Sequence, residues 1–386
     1  MSISLAGLGW ITPLGAGLDD VWARLMRGDV AEAKPLTNPE TGRVHQYAPI
    51  PPKLVEHLGR QPRLRRASPI AYYSVAAGLA ALQHAGFTMT PEIAARTAVL
   101  FAVSSGSVLY TRKFFEGVVK SGAQSASPML FPETVYNAPA SHLAAQLGID
   151  GYSYTLVGDN SVGLGALKLG EQLLRAGEVD YCLVVGAEEI DWVLCEGYRD
   201  WRFGALLAEG AGAVLLTRGP GLVEVAQIHD GVSFASRAEA VRATARVWQD
   251  LQAGGASDCV IGSANRSWTD RVEAAALRPP GNANLPIGED ATRCNRGADA
   301  HPGRLANQEI GVPRIGVPPI YQPKLALGEA LGASALWQVV VAALALQKNE
   351  LPARGALALQ TACVLSAGVN QQASGLVLRA PLQKAP

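Results

Sequence analysis

The sequence predicts an α/β protein organised around parallel sheet in two similar halves. Three observations predict it: a strand–turn–helix–strand unit at residues 154–190, apolar segments that recur at similar offsets, and a composition able to bury a large core. Over 154–190, Tyr154 to Val157 reads as a strand and Gly158-Asp159-Asn160-Ser161 as a tight turn. Val162 to Ala176 reads as an apolar helix stopped by Gly177, and Tyr181 to Val185 as a second buried strand. Such a crossover joins parallel strands whose two faces are both covered. Leu167 and Leu336, in two Ala-rich helical runs, are 169 residues apart, and Val214 and Leu376, in two closing strands, are 162 apart. The similar offsets suggest a duplication, with halves at 1–220 and 221–386. The 386 residues are 48% hydrophobic and 17% charged, which excludes a disordered chain and allows two or three domains or one large duplicated fold.

The remaining elements follow in order. Ser2 to Leu8 is a short strand that runs into the Gly/Pro-rich turn Gly7–Gly15. Asp19 to Met26 resumes helical spacing, with Val21, Trp22 and Leu25 on one face. Residues 29–66, rich in Pro and charge, read as surface loops. Pro69 to Ala85 is a strong helix stopped by Gly86, Ala98 to Ser104 a buried strand, and Ala140 to Leu147 a helix stopped by Gly148. Ala211 to Leu216 closes the first half. In the second half Cys259 to Gly262 is a strand, Leu331 to Gln347 an apolar helix, and Gly375 to Leu378 the last strand; residues 279–319 read as a long surface excursion.

Charge and cysteine content narrow the function classes. Lys+Arg and Asp+Glu are both 33, which argues against a nucleic-acid or polyanion binder. The chain has no run of some 18 uncharged apolar residues, so no membrane span is expected, and the N-terminus has no signal-peptide pattern. Five Cys residues (182, 195, 259, 294, 363) without CxxC spacing fit reduced thiols in the cytoplasm. Six His residues (45, 57, 84, 142, 229, 301) form no metal-ligand pattern, so neither a metal nor a cofactor is expected. Arg60, Arg63, Arg65 and Arg66 form a basic cluster, read as a solvated face or as a dock for an acidic partner. Trp192, Tyr198 and Trp201 read as core or interface aromatics.

Several blocks together resemble the β-ketoacyl synthases of the thiolase fold over nearly the whole length. They are Ala6-Gly7-Leu8-Gly9 with Thr12-Pro13-Leu14-Gly15, Ser127-Pro128 through Asn137-Ala138-Pro139-Ala140, Ala208-Glu209-Gly210-Ala211-Gly212-Ala213, and Lys324 to Ala335. The resemblance implies a five-layer α-β-α-β-α fold of two duplicated halves. It also implies a Cys-His-His site, in which a thiolate at a helix N-terminus takes an acyl chain and two imidazoles assist decarboxylation and condensation.

The departures from that pattern carry the functional expectation. Asn160 stands at the nucleophile position, where an amide nitrogen with a delocalised lone pair cannot form a thioester. Its bland reading is a cap for the helix from Val162. Ser161 is the nearest hydroxyl, yet Gly-Asp-Asn-Ser-Val-Gly lacks the Gly two residues before Ser that a hydrolase elbow needs. The first His position falls at about Ala264, and no His occurs between His229 and His301. The second falls on Glu329, where a carboxylate would repel an enolate; Lys324 can pair with it as an ordinary buried ion pair. The acyl gate is replaced by Ser366-Ala367-Gly368-Val369-Asn370-Gln371.

The resemblance therefore implies a catalytically silent subunit of chain-length-factor type, as in type II polyketide or aryl-polyene systems. It would pair with an active ketosynthase as a heterodimer and work with an acyl carrier protein. Two alternatives stay open: an acyltransferase or hydrolase with a non-standard nucleophile, and an acyl-binding homodimer.

Overall fold

A computed structural model describes residues 2–201, 203–278, 318–369 and 371–381. Ten strands build its main sheets. The first half contributes β1 (Ile3–Ile11), β2 (Thr97–Val103), β3 (Ser153–Val157), β4 (Tyr181–Glu188) and β5 (Gly210–Arg218). They lie in the order β3-β2-β4-β5-β1, with β5 antiparallel to both its neighbours and β2 parallel to β3 and β4. The second half contributes β6 (Val223–Ile228), β7 (Cys259–Ile261), β8 (Ile320–Tyr321), β9 (Thr361–Ala367) and β10 (Gln372–Arg379). Their order is β8-β7-β9-β10-β6, with β10 antiparallel and β7 parallel to its neighbours. Each half therefore repeats one order, third-second-fourth-fifth-first, and one direction reversal at the fifth strand. The halves meet where Ser4 and Leu5 pair with Glu224 and Val223.

Period-two alternation along the strands divides the core into three apolar zones. Val99, Phe101 and Val103 face outward against helix α2 (Pro69–His84) and α4 (Ala138–Leu147). Ala98, Leu100 and Ala102 face inward against α5 (Val162–Ala176) and α9 (Ser334–Lys348), which also cover Ile261, Val364 and Leu376 of the second sheet. On the far face Val260, Cys363 and Leu365 meet α7 (Arg237–Gln252). The layers run α-β-α-β-α, the thiolase-like arrangement of two duplicated halves.

The central layer explains why α9 is apolar all round: every residue from Ser334 to Leu346 is buried. Leu331–Lys348 is long and apolar enough to cross a membrane, with mean hydropathy 1.3, but 89% of it is buried between the two sheets. Against it α5 approaches closely. A Cβ built on Gly163 would stand 3.1 Å from the Cβ of Ala335, so the contact is made by the absence of a side chain. Gly177 ends α5 with φ 74°, as expected for a left-handed cap.

Several boundaries and elements differ from the sequence reading. Residues 29–66 are not all loop: Lys34–Thr37 pairs with Val44–Ala48, which in turn pairs with Leu207–Ala208, and Leu58 and Leu64 are buried. Their patterning is weak because neither strand buries a full face: Lys34–Thr37 has no buried residue and Val44–Ala48 only Ala48. The helices α1 (Leu18–Met26), α3 (Val108–Ser121) and α6 (Trp192–Asp200) complete the first half, and α8 (Thr269–Ala276) the second. α1 buries Val21, Trp22 and Leu25 as its spacing predicts. α3, α7, β6 and β9 escaped the sequence reading; α3 buries no residue at all. Trp201 is no core aromatic, being 58% exposed. Most of the 279–319 excursion, with Cys294 and His301, lies outside the described residues.

Gly163→Val should lower folding stability by about 1–3 kcal/mol, because the added methyls overpack a contact that cannot open. Gly165→Ala, one turn position away with nothing within 4 Å of its would-be Cβ, should instead stabilise by up to about 1 kcal/mol. Urea denaturation of the pair checks both signs.

Candidate functional site

The site forms where the two central helices begin. β3 ends at Val157, and the turn 158–161 delivers the chain to α5. Asp159 shapes this turn: its Oδ1 accepts the backbone N–H of Ser161 at 3.0 Å and the Ser161 hydroxyl at 2.7 Å. Its Oδ2 accepts the N–H of Gln371 at 3.2 Å and so ties the turn to the segment after β9. Gly368 in that segment must lack a side chain, because a Cβ would stand 2.4 Å from Asp159 Oδ2.

Asn160 is fully buried and points away from α5. Its Oδ1 accepts the N–H of Val369 at 3.1 Å, and its Nδ2 donates to Glu329 Oε2 at 3.3 Å. This corrects the capping role expected for it. The residue preceding α5 is Ser161, whose side chain makes no capping bond to the helix because Asp159 holds it.

Glu329 reaches the same point from the second half. The helical turn Pro323–Leu327 carries Lys324 and ends at Gly328, whose φ of 86° and closeness to the Ala208 side chain suit only glycine. The backbone of Glu329 is then clamped to Leu206 and Ala208, at 2.8 and 2.9 Å. Its carboxylate is completely buried and accepts five donors. Oε2 takes Asn160 Nδ2, Asn265 Nδ2 at 2.6 Å and Lys324 Nζ at 3.0 Å. Oε1 takes the Leu331 N–H at 3.0 Å and the Ser334 hydroxyl. The Lys324–Glu329 pair expected from the sequence is thus present, with side chains 1% and 0% exposed. A buried pair is tolerable only when geometry and further hydrogen bonds compensate for desolvation, and here they do.

Ala264 contributes no polar group to this cluster; its N–H donates to Gln322 Oε1 at 2.9 Å. The next residue, Asn265, does contribute, and the sequence reading missed it. Its Oδ1 accepts from Ser267 N–H and Thr269 Oγ1, which fixes the amide so that Nδ2 points at Glu329. The signal was in the string Gly262 to Trp268: among the residues after the strand, a buried amide can serve a carboxylate and an alanine cannot.

The floor of the site rests on two more carboxylates at the end of β4. Glu188 accepts the N–H groups of Ser104, Ser105 and Gly332, pinning the loop before α9 to the end of β2. Burial pushes its carboxyl up to about 8, against the opposing pull of those N–H donors. Glu189 accepts from Ser68 Oγ and from the N–H groups of Ile70 and Leu109, at the starts of α2 and α3, and burial pushes it up to about 7.

A surface pocket of about 330 Å³ reaches the cluster from outside. Trp201, Phe203, Phe234, Trp268 and Val369 line it, with Arg237 stacked on Trp268 at 5.1 Å. The Val369 N–H is the group held by Asn160, which links the pocket wall to the cluster. Asn370 of the replaced gate lies outside the described residues.

Chemically, the arrangement holds charge rather than moving it. Among the described residues it presents two amides, an ammonium and a carboxylate already bonded by five donors, and no thiol or imidazole bonds to them. Ser161 Oγ is buried and donates to Asp159, with no histidine bonded to it among the described residues. Among the described residues no group of His, Cys, Asp and Glu could hold a metal ion. Cys182, Cys195, Cys259 and Cys363 are buried thiols, and burial pushes the first three up to about 12. His142 pairs with Glu133 at 2.9 Å. The four arginines of the basic cluster are exposed, and only Arg63 has a partner among the described residues, the carbonyl of Ala145 at 2.8 Å.

Comparison with known proteins supplies the context. The family model described as Beta-ketoacyl synthase, N-terminal domain, matches residues 1–220. A 3-oxoacyl-[acyl-carrier-protein] synthase 2 of Vibrio harveyi is 24% identical over 242 residues, covering 55% of this chain and 57% of that protein. The corresponding synthase of Rhizobium meliloti is 24% identical over 259 residues, 55% of this chain and 58% of that protein. The chain thus spans little more than half the length of the curated relatives it matches. Among solved structures, the ishigamide ketosynthase/chain length factor superposes with a TM-score of 0.76 at 18% identity, over 98% of this chain and 99% of that one. A ketosynthase in complex with its chain length factor from Xenorhabdus doucetiae gives 0.71 at 16% identity, over 98% of each.

Two outcomes test the site. Glu329→Ala should destabilise the protein by about 3–5 kcal/mol, since it strands a buried ammonium. Lys324→Met with Glu329→Leu should cost less than either single change, which a double-mutant cycle by denaturant melts would read. The second outcome concerns pH. Between the ordinary carboxyl value of 4.5 and the raised values at Glu188 and Glu189, the folded chain keeps protons that the unfolded chain has lost. Stability from these two groups is therefore full below about pH 4.5 and falls as pH rises through 7 to 8. Glu188→Gln with Glu189→Gln should flatten the decline of the melting temperature across that window.

Proposed function

This chain belongs to the β-ketoacyl synthase family, and we propose that it is a silent member: a chain-length-factor-type subunit that pairs with an active ketosynthase in fatty acid or polyketide elongation on an acyl carrier protein. The observation that carries this reading is the Asn160–Glu329 hydrogen bond at the start of the two central helices. The family pattern implies a thiolate and two imidazoles there. Condensation requires a nucleophile that can bear an acyl group and donors that stabilise an enolate. An amide supplies neither nucleophile nor leaving group, and a carboxylate opposes an enolate. In this reading Asn160, Glu329 and Lys324, together with Ala264 and its neighbour Asn265, are degenerate family positions turned into a structural lattice. The halves at 1–220 and 221–386 are its two ketosynthase-like units.

Features of the surface support a partner. Among the described residues β3 pairs only with β2 and leaves an open sheet edge, with Tyr154 and Val157 exposed. Such edges invite pairing with another chain. Near it in sequence, α3 and the segment after it expose Phe115, Val119, Met129 and Phe131, an unusual amount of apolar surface for an unpartnered face. The likeness to a ketosynthase bound to its chain length factor supports the kind of partner proposed. Exposed Arg60, Arg65 and Arg66, without carboxylate partners among the described residues, suit an acidic carrier protein. No metal or cofactor is required, and the reading places the pair in the cytoplasm. An aryl-polyene or polyketide product would be set by the partner and by the tunnel between the two subunits.

The isolated chain should not condense acyl and malonyl units, and Asn160→Cys alone should not restore condensation, because both imidazoles would still be lacking. Incubation with acyl carrier protein or acyl-CoA should leave its mass unchanged; an acyl adduct would favour an acyltransferase. Co-expression with a Cys-His-His ketosynthase should yield a stable heterodimer. Elongation by the chain alone, or recovery only as a homodimer in the presence of that partner, would overturn the reading. Within an intact pair, Val162→Phe at the start of α5 should shorten the products and Val162→Ala should lengthen them or leave them unchanged.

A further inference from the structure

Helix α3 (Val108–Ser121) is the one α-helix among the described residues that buries no residue. None of its side chains joins the apolar clusters of the core among the described residues. Phe115 and Val119 are instead exposed. Apolar burial, which seats the other helices, does not seat this one.

Polar ties hold it. The Leu109 N–H donates to Glu189 Oε1 at 2.9 Å. Arg112 Nε donates to both carboxylate oxygens of Asp191, each at 3.0 Å, and the guanidinium lies 5.8 Å from the centre of the Trp192 ring. Asp191 is buried and also caps α6 through the Val193 N–H at 3.0 Å, so it belongs to the body of the molecule. The segment after α3 folds back on the helix: Ser125 Oγ donates to the Gly117 carbonyl at 2.8 Å, and the Phe131 ring stands 5.8 Å from that of Phe114. This segment has a polar tie of its own, Glu133 to His142 at 2.9 Å. Gly106 before the helix and Gly122 after it sit at φ 70° and 83°, where a glycine turns without strain.

We propose that residues 107–136 form a latched flap, with the Arg112–Asp191 pair as its latch, that opens as a unit while the two sheets stay folded. An element with few buried apolar contacts lies at the low end of local stability. The latch supplies what burial does not, a charge-assisted hydrogen-bonded pair. Opening strips the buried Asp191 carboxylate of its countercharge, so the closed state dominates and the open state is a minor one. The flap carries Phe115, Val119 and Phe131, so any surface that binds these residues selects among flap positions. The inference stands apart from the silent-subunit reading: the flap is a property of the single chain, and its test needs no partner or elongation assay.

Hydrogen–deuterium exchange of the full chain, read by mass spectrometry at two protein concentrations, tests the proposal. Amides of 109–121 should exchange at least about a hundredfold faster than those of α2 and α9. Arg112→Met should speed exchange at 109–121 by about tenfold while leaving α9 and the melting temperature unchanged, and Arg112→Lys should fall between the two. Raising NaCl to about 1 M should speed exchange of 109–121 in the unaltered chain and add nothing in Arg112→Met. Protection of α3 equal to that of α9, or exchange at 109–121 unaltered by Arg112→Met, would overturn the flap or its latch. Protection that grows with protein concentration and ignores Arg112 would also overturn it, since a second copy would then be holding the helix.

Discussion

The carboxylate of Glu329 is the point on which the centre of the molecule depends. It sits at zero exposure between the beginnings of two helices that belong to different halves of the chain. Five donors converge on it, from Asn160, Asn265, Lys324, Leu331 and Ser334. Removing such a charge from water is unfavourable by several kcal/mol, and only simultaneous satisfaction of both oxygens makes it tolerable. Each donor is therefore constrained: Gly328 must turn left-handed, Asn265 must be fixed by Ser267 and Thr269, and Asn160 must turn away from the helix it precedes.

Around this point the duplicated architecture supplies rigidity. Two five-stranded sheets with the same strand order sandwich α5 and α9, and α9 has no face left for solvent. The helices touch at Gly163 and Ala335, close enough that even one methyl group matters. Buried carboxylates at the end of β4 then fasten the outer elements by backbone N–H groups: Glu188 holds the loop before α9, and Glu189 the starts of α2 and α3. The Glu329 cluster is thus placed on the most deeply packed elements, while the exposed apolar residues of β3 and α3 and the arginine cluster lie at the periphery.

The amino-acid sequence by itself determined the local framework. The strand–turn–helix–strand unit at 154–190 was legible because its buried strands are unbroken apolar runs and its helix ends at a glycine that can turn left-handed. The duplication was legible in the offsets between Ala-rich helices, and the amide at 160 and the carboxylate at 329 were legible as residue types. Amphipathic α3 and α7 and the half-exposed strands at 34–48 were not read, because weak or mixed patterning leaves several local solutions of similar energy. Only the tertiary structure decided what Asn160 does. Locally, an Asn before a helix favours a cap; in the fold, Asp159 takes the neighbouring serine and a carboxylate 169 residues away offers the buried amide a better partner. Asn265 rather than Ala264 joined the site for the same reason: hydrogen-bond satisfaction in a dry interior is settled by which groups meet across the chain, and sequence spacing carries no record of that.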